Sequence, residues 1–191
     1  MKLNPKILFF VLVIVLLSVV VYYNLGIGIK NITKFLPKHP TKQFDKRSLT
    51  VITEAVVHHT GTDSKSTTIE SIAKYHVEPG NHICDDGCPG ISYHFMIKPN
   101  GTIYQVNELE TVSYQCGGCN YNTIGICLIG NFNEEVPTEK ALKAVAKTIK
   151  YVNRRLGRSL AISAHYDHKS TSCPGDNTNM DKIIEMVYPM A

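Results

Sequence analysis

The sequence predicts an α/β fold: one mixed central β-sheet with helices packed on its faces. Three observations carry that prediction. Thr123 to Ile129 is a near-continuous apolar run of strand length, as expected for a strand covered on both faces. Asn100-Gly101, set between Ile91–Ile97 and Thr102–Val106, is a hairpin turn joining two strands. Leu142, Val145, Ala146, Ile149, Val152 and Leu156 trace one face of a helix, with Thr138 placed to cap its start and Gly157 its end.

Taken in order, the chain opens on Ile7–Tyr23, apolar except for Ser18, and the run continues to Ile29. That length approaches the roughly 20 residues that cross a bilayer. No small-residue cleavage pattern closes it. Residues 1–29 are therefore expected to form an uncleaved single-pass membrane anchor. Residues 30–48 carry scattered lysines and prolines without apolar periodicity, and are expected to be a solvated basic linker. Residues 49–191 are expected to form one domain. Leu49–Val57 reads as a buried strand, Thr67–His76 as a helix, Leu160–Ala164 as a short strand and Met180–Val187 as a terminal helix.

The overall charge of +4 is unevenly spread. Residues 1–48 hold eight Lys/Arg and one acid, which leaves twelve basic and fifteen acidic residues beyond them. The domain is thus mildly acidic, and no nucleic-acid partner is expected.

The chemistry concentrates in Ser163–Asp176, where His165 and Cys173 lie on one irregular loop. Imidazole and thiolate are ligands that zinc favours, and a catalytic zinc takes three protein ligands with a fourth position left for water. The doublet His58-His59, at the end of the apolar run Ala55–Val57, is the best source of the third ligand. The alternative for His165 and Cys173 alone is a buried thiol near a core histidine. Tyr93, in Ile91-Ser92-Tyr93-His94-Phe95, is placed to hydrogen-bond a developing oxyanion; its alternative is a half-buried strand aromatic.

Four blocks in order, Val56–Thr62, Ser92–Ile103, Asn122–Ile126 and His165…Thr171-Ser172-Cys173-Pro174-Gly175-Asp176, resemble the type-2 N-acetylmuramoyl-L-alanine amidases, a family that includes phage lysozyme and the peptidoglycan recognition proteins. The resemblance covers roughly residues 49–188. It implies a zinc hydrolase, working through zinc-activated water, that cuts the amide between N-acetylmuramic acid and the L-alanine of the stem peptide. It implies Zn2+ held by His58, His165 and Cys173, with Tyr93 and Thr171 as catalytic groups. His59 and Asn122 are expected to contact the substrate. Some relatives place a glutamate base where this chain has Cys127, so that base is lost here. The partner implied is peptidoglycan or a muropeptide, and the chain is expected to act as a monomer. A non-catalytic peptidoglycan receptor of the same fold is the alternative function; Cys173 argues against it, since receptor-type relatives typically lose that ligand.

Cys84/Cys88 and Cys116/Cys119 have no counterpart in the family's motifs. Two local disulfides, a crossed set and a second, structural zinc all fit the spacings. Because cross-linked peptidoglycan lies beyond the cytoplasmic membrane, the domain is expected to be extracytoplasmic. Lys30, Lys34 and Lys38 after the apolar run weigh against that orientation.

Overall fold

The computed structural model describes residues 5–24 and 28–189. Helix α1 (Pro5–Asn24) is followed by strands β1 (Ile29–Asn31) and β2 (Glu54–His59), helix α2 (Ile69–Val77), strands β3 (Phe95–Ile97), β4 (Ile103–Gln105) and β5 (Thr123–Leu128), helix α3 (Glu139–Leu156), strand β6 (Ala161–Ala164) and helix α4 (Met180–Val187). Among the described residues, one sheet of six strands runs in the order β1-β4-β3-β5-β2-β6. Only β3 and β4 pair antiparallel, through the Asn100-Gly101 hairpin; the other neighbours are parallel. The sheet is mixed, as expected.

The pleat divides the core in two. Ala55, Val57, Phe95, Ile97, Ile124, Ile126 and Leu128 face α3 and α4, meeting Leu142, Val145, Ile149 and Ile183. Met96 and Cys127 face the other way, towards Ile69, Ile72 and Ala73 of α2. His58 is level with Cys127 in the β2–β5 register, and Cys127 with Met96. The α2 side of the sheet therefore carries His58. Helix α3 begins at Thr138, whose hydroxyl accepts from Ala141 N at 3.1 Å, and stops at Gly157 in the left-handed conformation. Such a cap contributes about 1 kcal/mol.

The strand expected over Leu49–Val57 starts later. Ser48 caps a 3-10 turn at Leu49–Val51, and β2 begins at Glu54. Residues 30–48, expected to be a solvated basic linker, make contacts with the rest of the chain. Strand β1 pairs with β4, Lys46 bridges to Thr111, and Lys42 Nζ donates to the carbonyls of Asp86 and Gly87 at 2.8 Å each. Arg47 is buried, and its guanidinium donates to the carbonyls of Leu109, Asn120 and Tyr121. These cations serve as donors to loop carbonyls, an arrangement that leaves no apolar periodicity to read.

Helix α1 has described side chains at 6–15 and 17, and its large apolar ones are mostly exposed, Phe9 and Phe10 among them. Among the described residues no helix is long and apolar enough to cross a membrane. The expected span is thus not supported by the described residues. Residues 25–27, within the apolar run, lie outside them. The four paired cysteines form two local disulfides, Cys84–Cys88 and Cys116–Cys119, which removes the crossed set and the second zinc.

Candidate metal centre

Strands β2 and β6 lie side by side and parallel, with Val57 opposite Ala164. One step further along each chain come His58 and His165, whose rings approach to 4.5 Å between centroids. Cys173 returns on the loop before α4. That loop is tied to the site by Tyr166 N donating to Cys173 O at 2.9 Å and by His59 N donating to Cys173 Sγ at 3.4 Å. It passes tightly over Phe132: a Cβ on Gly175 would stand 2.4 Å from the Phe132 carbonyl carbon. Gly175 also has φ +96°, so only glycine fits there without strain.

The donor atoms of His58, His165 and Cys173 all lie within 4.8 Å of one another. His58 Nδ1 is 3.6 Å from Cys173 Sγ. Tetrahedral zinc, with bonds of about 2.0 Å to nitrogen and 2.3 Å to sulfur, separates two such donors by roughly 3.5 Å. The three residues fit a zinc ion in spacing and in donor chemistry. A second cluster, Cys116, Cys119 and His168, is equally close. Its sulfurs are bonded to each other, and His168 Nε2 is engaged by Glu54 at 3.1 Å and Ser163 at 3.0 Å.

Burial, and then neighbouring His165, lowers the pKa of His58 to about 3. Burial lowers those of His165 and His59 as well. All three imidazoles are therefore neutral near pH 7, the form that binds metal. Burial raises the Cys173 thiol to about 11, so without metal it keeps its proton. The Tyr93 ring lies 5.4 Å from that of His58. Burial holds the Tyr93 hydroxyl and the Cys127 thiol well above their ordinary pKa values.

Around these residues opens a cleft of about 690 Å³, lined by His58, His59, Tyr93, His165, Thr171 and Cys173 and also by Ile72, His76, Gln115, Asn120 and Lys169. Residues 48–176 match the sequence profile of the family described as N-acetylmuramoyl-L-alanine amidase. The chain belongs to that family. A pig N-acetylmuramoyl-L-alanine amidase is 31% identical over 98 residues, 50% of this chain but only 16% of the pig protein. Peptidoglycan-recognition protein SC2 of Drosophila melanogaster is 29% identical, over 64% of this chain and 68% of its own. The endolysin of Enterobacteria phage T3 is 28% identical, covering 69% and 85%. Among solved structures, an endolysin N-acetylmuramoyl-L-alanine amidase from Clostridium intestinale superposes with a TM-score of 0.64 at 26% identity, over 81% of this chain and 91% of that one. Peptidoglycan recognition protein LE, solved with tracheal cytotoxin, shares the fold at a TM-score of 0.70 and 24% identity, covering 85% and 94%.

Within this amidase-family cleft the sequence-predicted residues fare differently. Tyr93 and Thr171 both line it, and Thr171 Oγ1 accepts from Cys173 N at 3.2 Å. His59 lines it too, but its Nδ1 accepts from Phe132 N at 3.1 Å, so the ring also holds the Phe132 turn. Asn122 is not brought to the cleft. It precedes the Glu54–Thr123 end of the β2–β5 ladder, whereas His58 stands near the opposite end, and its amide donates to Thr53. The strand start it marks is a sequence landmark; alternation along β5 says nothing about which end holds the site. Sequence reasoning missed Gln115, His76, Asn120 and Lys169. Each comes from a loop or from a helix end, where no periodicity points at a cleft.

Proposed function

We propose that the chain is a zinc-dependent N-acetylmuramoyl-L-alanine amidase that hydrolyses the amide between N-acetylmuramic acid and L-alanine in peptidoglycan stem peptides. The observation that carries this is the convergence of His58, His165 and Cys173 beside Tyr93 in one open cleft. Family membership supports the reaction class. A recognition protein of the same fold, solved in complex with tracheal cytotoxin, a monomeric diaminopimelic acid-type peptidoglycan, supports a muropeptide as the ligand class.

His58, His165 and Cys173 would hold the ion. Bound zinc lowers the pKa of water and polarises a carbonyl. The residues around it then divide the remaining work. Tyr93 stays a phenol at neutral pH, because burial disfavours its anion. It is therefore a donor to negative charge developing on the scissile carbonyl oxygen. Thr171 offers a second, uncharged hydroxyl from the loop. Cys127 occupies the strand position beside His58, and its buried thiol keeps its proton, so it supplies no base. Proton removal falls to no side chain in that position.

The two disulfides favour an oxidising compartment, in accord with a domain that meets cell wall outside the cytoplasm. The test of function is release of L-alanine-terminated peptides from purified cell wall, with and without a chelator. Release that stops on chelation and returns with zinc is expected. Intact stem peptides after long incubation of the zinc-loaded protein would favour the receptor.

A further inference from the structure

We propose that Gln115 is the positioning residue of the metal centre: it fixes the tautomer of His58 and so selects the nitrogen that faces Cys173. The proposal rests on the zinc reading for its purpose, but its geometry stands by itself. His58 and Gln115 are both buried, so their polar atoms must find partners within the protein. His58 Nε2 lies 2.5 Å from Gln115 Oε1. Gln115 Nε2 donates to Thr123 Oγ1 at 2.5 Å, and Thr123 Oγ1 spends its own proton on the carbonyl of Cys119 at 2.7 Å.

This chain has only one direction. Cys119 O can only accept, so Thr123 is the donor there and its oxygen must accept from Gln115. That requires the amide nitrogen of Gln115 to face Thr123 and its oxygen to face His58. A carbonyl oxygen accepts, so His58 must carry its proton on Nε2. Nδ1 is then bare, and Nδ1 is the atom 3.6 Å from Cys173 Sγ. A ligand histidine whose other nitrogen donates to a fixed acceptor holds both its ring orientation and its tautomer.

Two further features are built around the same side chain. Gly125 lies on β5, opposite Val56 in the β2 register and two residues from Cys127, on the side of the sheet that carries His58. A Cβ there would stand 2.7 Å from Gln115 Cγ and 3.0 Å from its Cβ and Cδ. The missing side chain is the passage through which Gln115 crosses the strand. The anchor at the far end, Cys119 O, sits in the turn closed by the Cys116–Cys119 disulfide, which starts one residue after Gln115. The disulfide thus holds the turn that holds Thr123 and Gln115.

The experiment has two arms on the full chain. Nitrogen-15 NMR of the metal-free protein reads the His58 tautomer directly; a proton on Nε2 is expected, and a proton on Nδ1 overturns the proposal whether or not any variant folds. Zinc dissociation constants from chelator competition form the second arm. Gln115→Leu, which has no acceptor, should bind zinc 10- to 100-fold more weakly. Gln115→Glu, which keeps an acceptor towards His58 while Thr123 turns its proton from Cys119 O to the carboxylate, should return to within about threefold of the unmodified chain. Equal affinity in the Leu and unmodified chains, or an equal loss in the Leu and Glu chains, would reduce Gln115 to a packing residue. An unmodified chain that takes up no zinc counts against the amidase reading instead, and the tautomer still decides on Gln115.

Discussion

Cys173 differs from the two histidines in what it must give up to become a ligand. Burial raises its thiol to about 11, whereas His58, lowered to about 3, is already neutral at any working pH. Zinc binds the thiolate, so binding releases one proton from Cys173 and none from His58 across the neutral range. Zinc affinity should therefore rise about tenfold per pH unit from roughly pH 7 to 9. Chelator competition at stepped pH measures the slope, and a flat profile would remove Cys173 from the ligand set. The neighbouring phenol makes a separate prediction. Tyr93→Phe should bind zinc as the parent does and lose on the order of 10²–10³ in turnover, the usual effect of removing one transition-state donor. An unchanged rate would return Tyr93 to a packing role.

At the scale of elements, β5 is the strand on which both sides of the argument meet. Ile124, Ile126 and Leu128 fill the α3 side, while Gly125 leaves room for Gln115 on the other. Gly125→Ala should destabilise the fold by about 1–3 kcal/mol, because the side chain it strikes is held at both ends. It should also weaken zinc binding by displacing Gln115. Thermal melting and a zinc titration on the same sample separate the two effects. Much of this framework was legible in sequence. β5 announces itself by its apolar run, α3 by six apolar residues at helical spacing with a threonine before and a glycine after, and the β3–β4 hairpin by Asn100-Gly101. His165 and Cys173 were legible as candidate metal ligands because they share one loop, and the His58-His59 doublet because it ends a strand; the choice of His58 within the doublet came from the family motif. Gln115 was not, because its role exists only where a disulfide turn, a glycine on another strand and a histidine on a third converge. β1 was not either, since three residues in a lysine-bearing stretch offer no alternation to read.

For the whole molecule, the domain begins earlier than composition suggests. Arg47 knits the loops at 109 and 120–121 together by donating to three backbone carbonyls, and burial brings its own pKa down only to about 10, so it remains a cation. Arg47→Met should cost on the order of 2–4 kcal/mol, since those buried carbonyls lose their donors together; urea titration would read the loss, and an unchanged midpoint would refute the role. β1 has a different consequence, one of colloidal behaviour. It lies along β4 on the side away from β3, at the sheet's end. Without it, Ile103–Gln105 would present a bare row of amides and carbonyls of the kind that recruits strands from other molecules. β1 fills that row with three residues and ends it in a tight turn, where Phe35 N donates to Ile32 O. Lys30 lies over the Tyr104 ring at 5.6 Å, placing a charge on this border. A chain shortened to begin at Leu49 would keep His58, His165 and Cys173 and bare the β4 edge, and should aggregate more readily than the full chain.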